Sequence, residues 1–160
     1  MKTNLKKAIS AVCALALASS LAPATFAAKL TLSDVADTAS YATAVNTLVA
    51  LNVINGYEDG TFLPDNEITR AEATKVMVAA LNQLDAAEGM KGSTQFPDVE
   101  AKHEWATGFI NAGVQEGYIN GMGDGTFAPD AKVTYAQMVK MLVSALGYNE
   151  YAEFMGGYPN

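Results

Sequence analysis

The stretch NGYEDGTFLPDNEITRAEATKVMVAALNQL, residues 55–84, decides the fold, because a turn, a helix start and an apolar helix follow one another in it directly. It is also written twice: residues 120–146 read NGMGDGTFAPDAKVTYAQMVKMLVSAL, matching without a gap and identical at about half of the positions. Asp59-Gly60 and Asp124-Gly125 are turn dipeptides, since Asp bonds to the backbone two residues on and Gly accepts positive φ. Phe62 and Phe127 follow as anchors that pin each loop to a core, and Pro64 and Pro129 keep a helix from starting early. Thr69-Arg70-Ala71-Glu72 and Thr134-Tyr135-Ala136-Gln137 then have the capping-box form Thr-x-x-Glu/Gln, which satisfies free N–H groups at a helix start. Arg70 and Tyr135 differ between the copies, and a first-turn side chain just inside a cap faces solvent as a rule.

Upstream, residues 1–27 read as an export signal: Lys2, Lys6 and Lys7 form a basic start, Ala8 to Leu21 is apolar, and Thr25-Phe26-Ala27 offers small residues for cleavage before Ala28. The apolar run is short of the roughly 20 residues that span a membrane and ends at Pro23. Cys13, within the signal, is the only cysteine, so the exported part has neither disulfide nor thiol chemistry. Without the three signal lysines, the net charge falls from −7 to about −10. Such a surface repels nucleic acid and anionic lipid, so neither nucleic acid nor, after cleavage, a membrane is expected as partner.

The chain then divides into a first unit at 30–84, a polar linker at 85–95, a second unit at 96–148, and a tail at 149–160 that reads as the opening of a cut-off third unit or as a tail. In the first unit Tyr41, Val45, Leu48 and Val49 make one helical stripe, with Ser40 placed to cap it. A second helix is expected from Arg70 to Leu84. In the second unit Phe96-Pro97-Asp98-Val99 answers Leu32-Ser33-Asp34-Val35, and Trp105 answers Tyr41. Helices are expected over about 104–116 and 135–146, the latter stopped by Gly147. Trp105 reads first as a core residue and His103 as a solvated one. The fold class is all-α, with tandem helix-loop-helix repeats forming a small helical bundle and each unit a helical hairpin. Marginal stability is expected of so small a core.

No enzyme is expected: a single histidine and no surviving cysteine leave no nucleophilic set, and the carboxylates show no paired arrangement. Calcium fits poorly. With Gly60 or Gly125 as the sixth position of an EF-hand loop, the first, third and twelfth fall on Asn55, Tyr57 and Asn66, or on Asn120, Met122 and Ala131. No metal and no cofactor is expected.

The series Phe-x-Asp-Val, an aromatic further on, Asn-Gly-Tyr-x-Asp-Gly-Thr-Phe-x-Pro and Ile-Thr-Arg-Ala-Glu resembles the S-layer homology module, across nearly all of residues 30–148. The resemblance implies a secreted protein of the bacterial cell surface, cell wall or S-layer, held without covalent attachment by a secondary cell wall polymer. It implies three modules around a central helical bundle, with ligand grooves between neighbours, and self-association in an S-layer through regions outside this chain. It assigns polymer binding to Thr69, Arg70 and Glu72, with Arg70 facing an acidic sugar that often bears a pyruvate ketal. In the second unit Tyr135 and Gln137 replace Arg and Glu, and the assignment does not carry over cleanly. Chemically, a guanidinium fork fits a planar carboxylate, a helix start adds free N–H groups, and Tyr57 or Trp105 offers a stacking face. The alternatives are the wall anchor of a larger surface enzyme, or a structural segment that no longer binds polymer.

Overall fold

The structure, a computed structural model, describes residues 31–99 and 101–157. The expected export signal lies outside the described residues. Among the described residues six α-helices follow in order: α1 (Ala42–Ala50), α2 (Arg70–Ala80), α3 (Leu84–Gly89), α4 (Thr107–Gln115), α5 (Tyr135–Ala145) and α6 (Asn149–Phe154), with a 3-10 turn, Ala101–Ala106, leading into α4. No strand occurs among the described residues, only an isolated bridge between Thr69 and Lys132, and the described part is all-α.

Both capping boxes form. Thr69 Oγ1 accepts from Glu72 N and the Glu72 carboxylate accepts from Thr69 N; Thr134 and Gln137 do the same for α5. The other boundaries differ in places from the sequence pattern. Ser40 does not cap α1: Tyr41 stands at the cap in a helical conformation without a side-chain bond, because the chain arrives already turning through Ala42 N–H to Ala39 O. The helix expected to run to Leu84 stops at Ala80, as Asn82 takes a φ of 57°, and a short helix, α3, then forms in what reads as a polar linker. Gly147, with a φ of 77°, ends α5 as expected.

The packing overturns the hairpin. α1 meets no other helix among the described elements, and α4 does not pack against α5; instead α2 of the first repeat packs against α4 and its 3-10 turn in the second, with α3 against α4 and α5 against α2. The core accordingly gathers Ala73, Met77 and Val78 from α2, Ile110 and Ala112 from α4, Phe96, Ile119, Phe127 and, from α5, Met141. The long loop explains why: it carries each second helix away from the first, and burial then favours the neighbouring repeat. At Gly108 the backbone of α4 comes so close to Ala87 of α3 that a Cβ would overlap the Ala87 carbonyl oxygen.

Each loop is held by one carboxylate from far upstream. Asp34 accepts from Phe62 N–H and Leu63 N–H, both at 2.7 Å, and Asp98 accepts from Phe127 N–H at 2.9 Å and Ala128 N–H at 2.7 Å. Leu63 and Ala128 sit at φ 54° and 57°, a left-handed conformation that costs an L-residue about 1–2 kcal/mol, and the two charge-assisted bonds offset that strain. The Phe62 N–H, above all, holds the Asp34 carboxyl below its usual range. At the turn tips Asp59 and Asp124 each accept from the backbone and hydroxyl of the Thr two residues on, as the Asp-Gly reading implies.

Candidate functional site

Two structures are built at the start of α2, and the site residues named from sequence divide between them. The first is a clasp between repeats. Arg70 is buried, at 8 % exposure, against the solvent-facing expectation. Its Nε donates to Phe127 O and its Nη2 to Asn120 O, both at 2.9 Å, while the guanidinium lies 4.9 Å over the Phe127 ring. The backbone follows: Arg70 N–H donates to Ala131 O, Ala71 N–H to Pro129 O and Val133 N–H to Ile68 O. The free N–H groups of the helix start are thus met by carbonyls of the second loop. The sequence rule failed here because that loop, whose contacts with the Arg70 side chain lie 50 and 57 residues away in the chain, covers the position that would otherwise face water. Burial pulls the Arg70 pKa down, and the nearby Asp98 charge opposes this.

The second is a groove of about 500 Å³ between the first loop, α2 and the end of the 3-10 turn that leads into α4, lined among others by Tyr57, Phe62, Pro64, Glu72, Lys75 and Trp105. Tyr57, Glu72 and Trp105 are therefore brought together; Thr69 and Arg70 are not among the lining residues. Glu72 faces two ways. Its Oε2 accepts from Thr69 N–H at 2.8 Å and from the Thr69 hydroxyl at 2.9 Å, and its Oε1 accepts from the Tyr57 hydroxyl at 3.3 Å. Partial burial, then the Glu72 charge, raises the Tyr57 pKa. Trp105 is not a core residue: it is 43 % exposed, and Lys75 Nζ stands 6.0 Å from the centre of its ring and equally far from that of Phe109.

Lys75 is the functional candidate that sequence reasoning missed. The signal was present: Lys75 and Lys140 occupy corresponding positions of the two copies, three residues after the capping Glu72 and Gln137. That spacing puts Lys75 on the same side of α2 as Glu72.

His103 is also corrected. It is buried, and its Nε2 lies 2.9 Å from Asp130 Oδ1, with Lys102 Nζ 2.7 Å from the other oxygen. These partners, Lys102 first, hold the Asp130 pKa down at about 2. They tie the second loop to the approach of α4. Among the described residues no group of three or more His, Cys, Asp and Glu is placed to hold a metal, and no helix is long and apolar enough to cross a membrane.

Comparison with known proteins agrees with the repeat register: the S-layer homology domain model matches residues 31–74 and again 95–139. The chain belongs to the S-layer homology family. Among its relatives, a cell surface protein of Thermoanaerobacter kivui is 39 % identical over 148 residues, 92 % of this chain and 19 % of the relative. A surface layer protein of Brevibacillus choshinensis is 36 % identical over 98 % of this chain and 14 % of its own length. A cellulosome-anchoring protein of Acetivibrio thermocellus is 37 % identical over 73 % of this chain and 26 % of its own. This S-layer homology chain thus spans only a minor part of the relatives it matches.

Proposed function

We propose that the chain is the wall-anchoring part of a secreted surface protein, and that it holds an acidic cell-wall glycan, the pyruvylated kind included, in the groove between the first loop and Trp105. The observation that carries this reading is the placement of Lys75 beside a half-exposed indole in a concave site. A sugar ring stacks on the Trp105 face, where it buries apolar C–H surface. The Lys75 ammonium pairs with the acid group beside it, and the Tyr57 hydroxyl and Glu72 Oε1, already bonded to each other, exchange hydrogen bonds with sugar hydroxyls.

In this reading Thr69 and Arg70 work one step behind the ligand. Thr69 fixes the Glu72 carboxylate, and Arg70 fixes the second loop against α2, which sets the wall carrying Trp105 relative to the wall carrying Lys75. A local cation lets one groove take an anion within a negative overall field, and it makes binding weaken with salt. The cell-surface and anchoring names of the relatives support the reading.

The test is co-sedimentation with purified wall sacculi before and after their acidic polymers are stripped. The parent is expected to pellet only with unstripped walls, and Lys75→Ala and Trp105→Ala each to lose about tenfold in affinity, the scale of one ion pair or one stacked ring. Equal binding by parent and both variants would remove the groove from the account.

A further inference from the structure

The second loop is tied to two elements that face each other across the groove, and the first repeat lacks the residues for one of these ties. Segment 129–131 is pinned as a tight turn, with Ala131 N–H donating to Ala128 O at 3.0 Å. On one side the carbonyls of Ala131 and Pro129 accept from Arg70 N–H at 2.9 Å and Ala71 N–H at 3.1 Å, at the start of the helix that carries Glu72 and Lys75. On the other side the Asp130 carboxylate meets Lys102 and His103 in the 3-10 turn that carries Trp105. In the first repeat Thr38 and Ala39 stand in the places of Lys102 and His103, and Asp65 in that of Asp130, so no imidazole joins that loop to its approach.

Of the two side chains that Asp130 meets, His103 matters more. The pair with Lys102 is largely exposed, and a surface ion pair contributes little. The imidazole is buried, and its Nδ1 has no hydrogen-bond partner among the described residues, so the bond at Nε2 is the polar contact that fixes the ring. Asp130 is a carboxylate down to about pH 2, so Nε2 carries the proton and donates. A 3-10 turn has poor internal hydrogen-bond geometry and takes its position from such outside ties. If the acceptor is removed, a buried N–H is left unpaired, and the turn shifts until water reaches it. Trp105, two residues on, shifts with it.

We infer that Asp130 is a positioning residue for the groove: through His103 it holds the Trp105 ring at 6.0 Å from the Lys75 ammonium, although Asp130 itself lines no part of the groove. The backbone on either side of it grips α2 and its side chain grips the turn, so one short segment sets the spacing of the two groups between which the sugar and its acid are held. Its effect on affinity rests on the groove being the polymer site, whereas its effect on Trp105 does not.

Trp105 is the only tryptophan, so acrylamide quenching of its fluorescence in the free chain reads its placement directly. Asp130→Ala is expected to raise the quenching, to shift the emission to the red, and to lower affinity for unstripped wall sacculi about tenfold, the scale of one buried bond left unpaired. Asp130→Asn, whose amide oxygen still accepts from Nε2, is expected to fall between Asp130→Ala and the parent in all three. Met141→Ala, a core truncation that touches neither wall, is the stability control: it is expected to lower the denaturation midpoint and to keep the quenching and affinity of the parent. Circular dichroism checks that each variant is folded under the conditions of the assay. Unchanged quenching in Asp130→Ala would overturn the inference whatever the polymer does, and so would raised quenching with parental affinity, or losses equalled by Met141→Ala. A parent that binds no sacculi would instead refute the proposed function, and the quenching alone would then decide the placement of Trp105.

Discussion

Replacing Arg70 by alanine removes one side chain and unmakes a junction. Three contributions are lost. The Nε bond reaches a buried carbonyl, that of Phe127, which is left unpaired at a cost of about 1–3 kcal/mol. The Nη2 bond to Asn120 O is partly wet, and its loss is about 1 kcal/mol. The guanidinium over the Phe127 ring adds about 0.5–1 kcal/mol. Against these stands the relief of a desolvated charge, whose burial is what lowers the Arg70 pKa. The net expectation is a destabilisation of about 3 kcal/mol, which for a domain of this size lowers Tm by roughly 10–15 °C. Urea unfolding, followed in parallel by helical circular dichroism and by the fluorescence of Trp105, measures it. Arg70→Lys is expected to recover less than half, since an ammonium on a flexible stem does not reproduce a planar fork reaching two carbonyls. If Arg70→Ala unfolds within about 1 kcal/mol of the parent, the guanidinium is not a strut and the structural role assigned to it is wrong.

Two further outcomes are expected. Asp130 is held at about 2 against an ordinary 3.8, so its contribution is fully present above pH about 4 and is lost as pH falls through about 2; the Tm difference between the parent and Asp130→Asn should therefore be at full size above pH about 4 and close at pH 2, and a difference unchanged across that window would contradict the latch to Lys102 and His103. Gly108→Ala is expected to destabilise by about 1–3 kcal/mol, because its Cβ would overlap the Ala87 carbonyl oxygen where α4 meets α3, and a denaturation midpoint equal to the parent's would show that this approach is looser than described.

Much of the local structure was legible in the sequence because its causes are local. A capping box is closed by residues three apart, and an Asp-Gly turn by residues two apart, so both could be read without knowing what lies across the chain. The misreadings share the opposite property. Arg70 was read as solvent-facing, His103 as solvated and Ser40 as a cap, each by a rule about neighbours in sequence. Carbonyls from the second loop, the Asp130 carboxylate and an already turning backbone decided them instead. The clamping role of Asp34 and Asp98 was invisible for the same reason: both stood out as letters of a repeated series, and their acceptors' partners lie in loops that only folding brings near. Of the groove, Tyr57, Glu72 and Trp105 were named in advance, while Lys75 was passed over for the more conspicuous Arg70.

The exchange of partners between neighbours, α2 lying on α4 and not on α1, separates the period of the sequence from the cooperative unit of the molecule. A protease cut or a subcloning boundary at residues 85–95, where the pattern of the text invites one, would pass through the middle of what melts together and leave each half with an orphaned helix. The packed core itself straddles that boundary, from Ala71 beside the clasp through Phe127 of the loop that receives it to Met141 of α5.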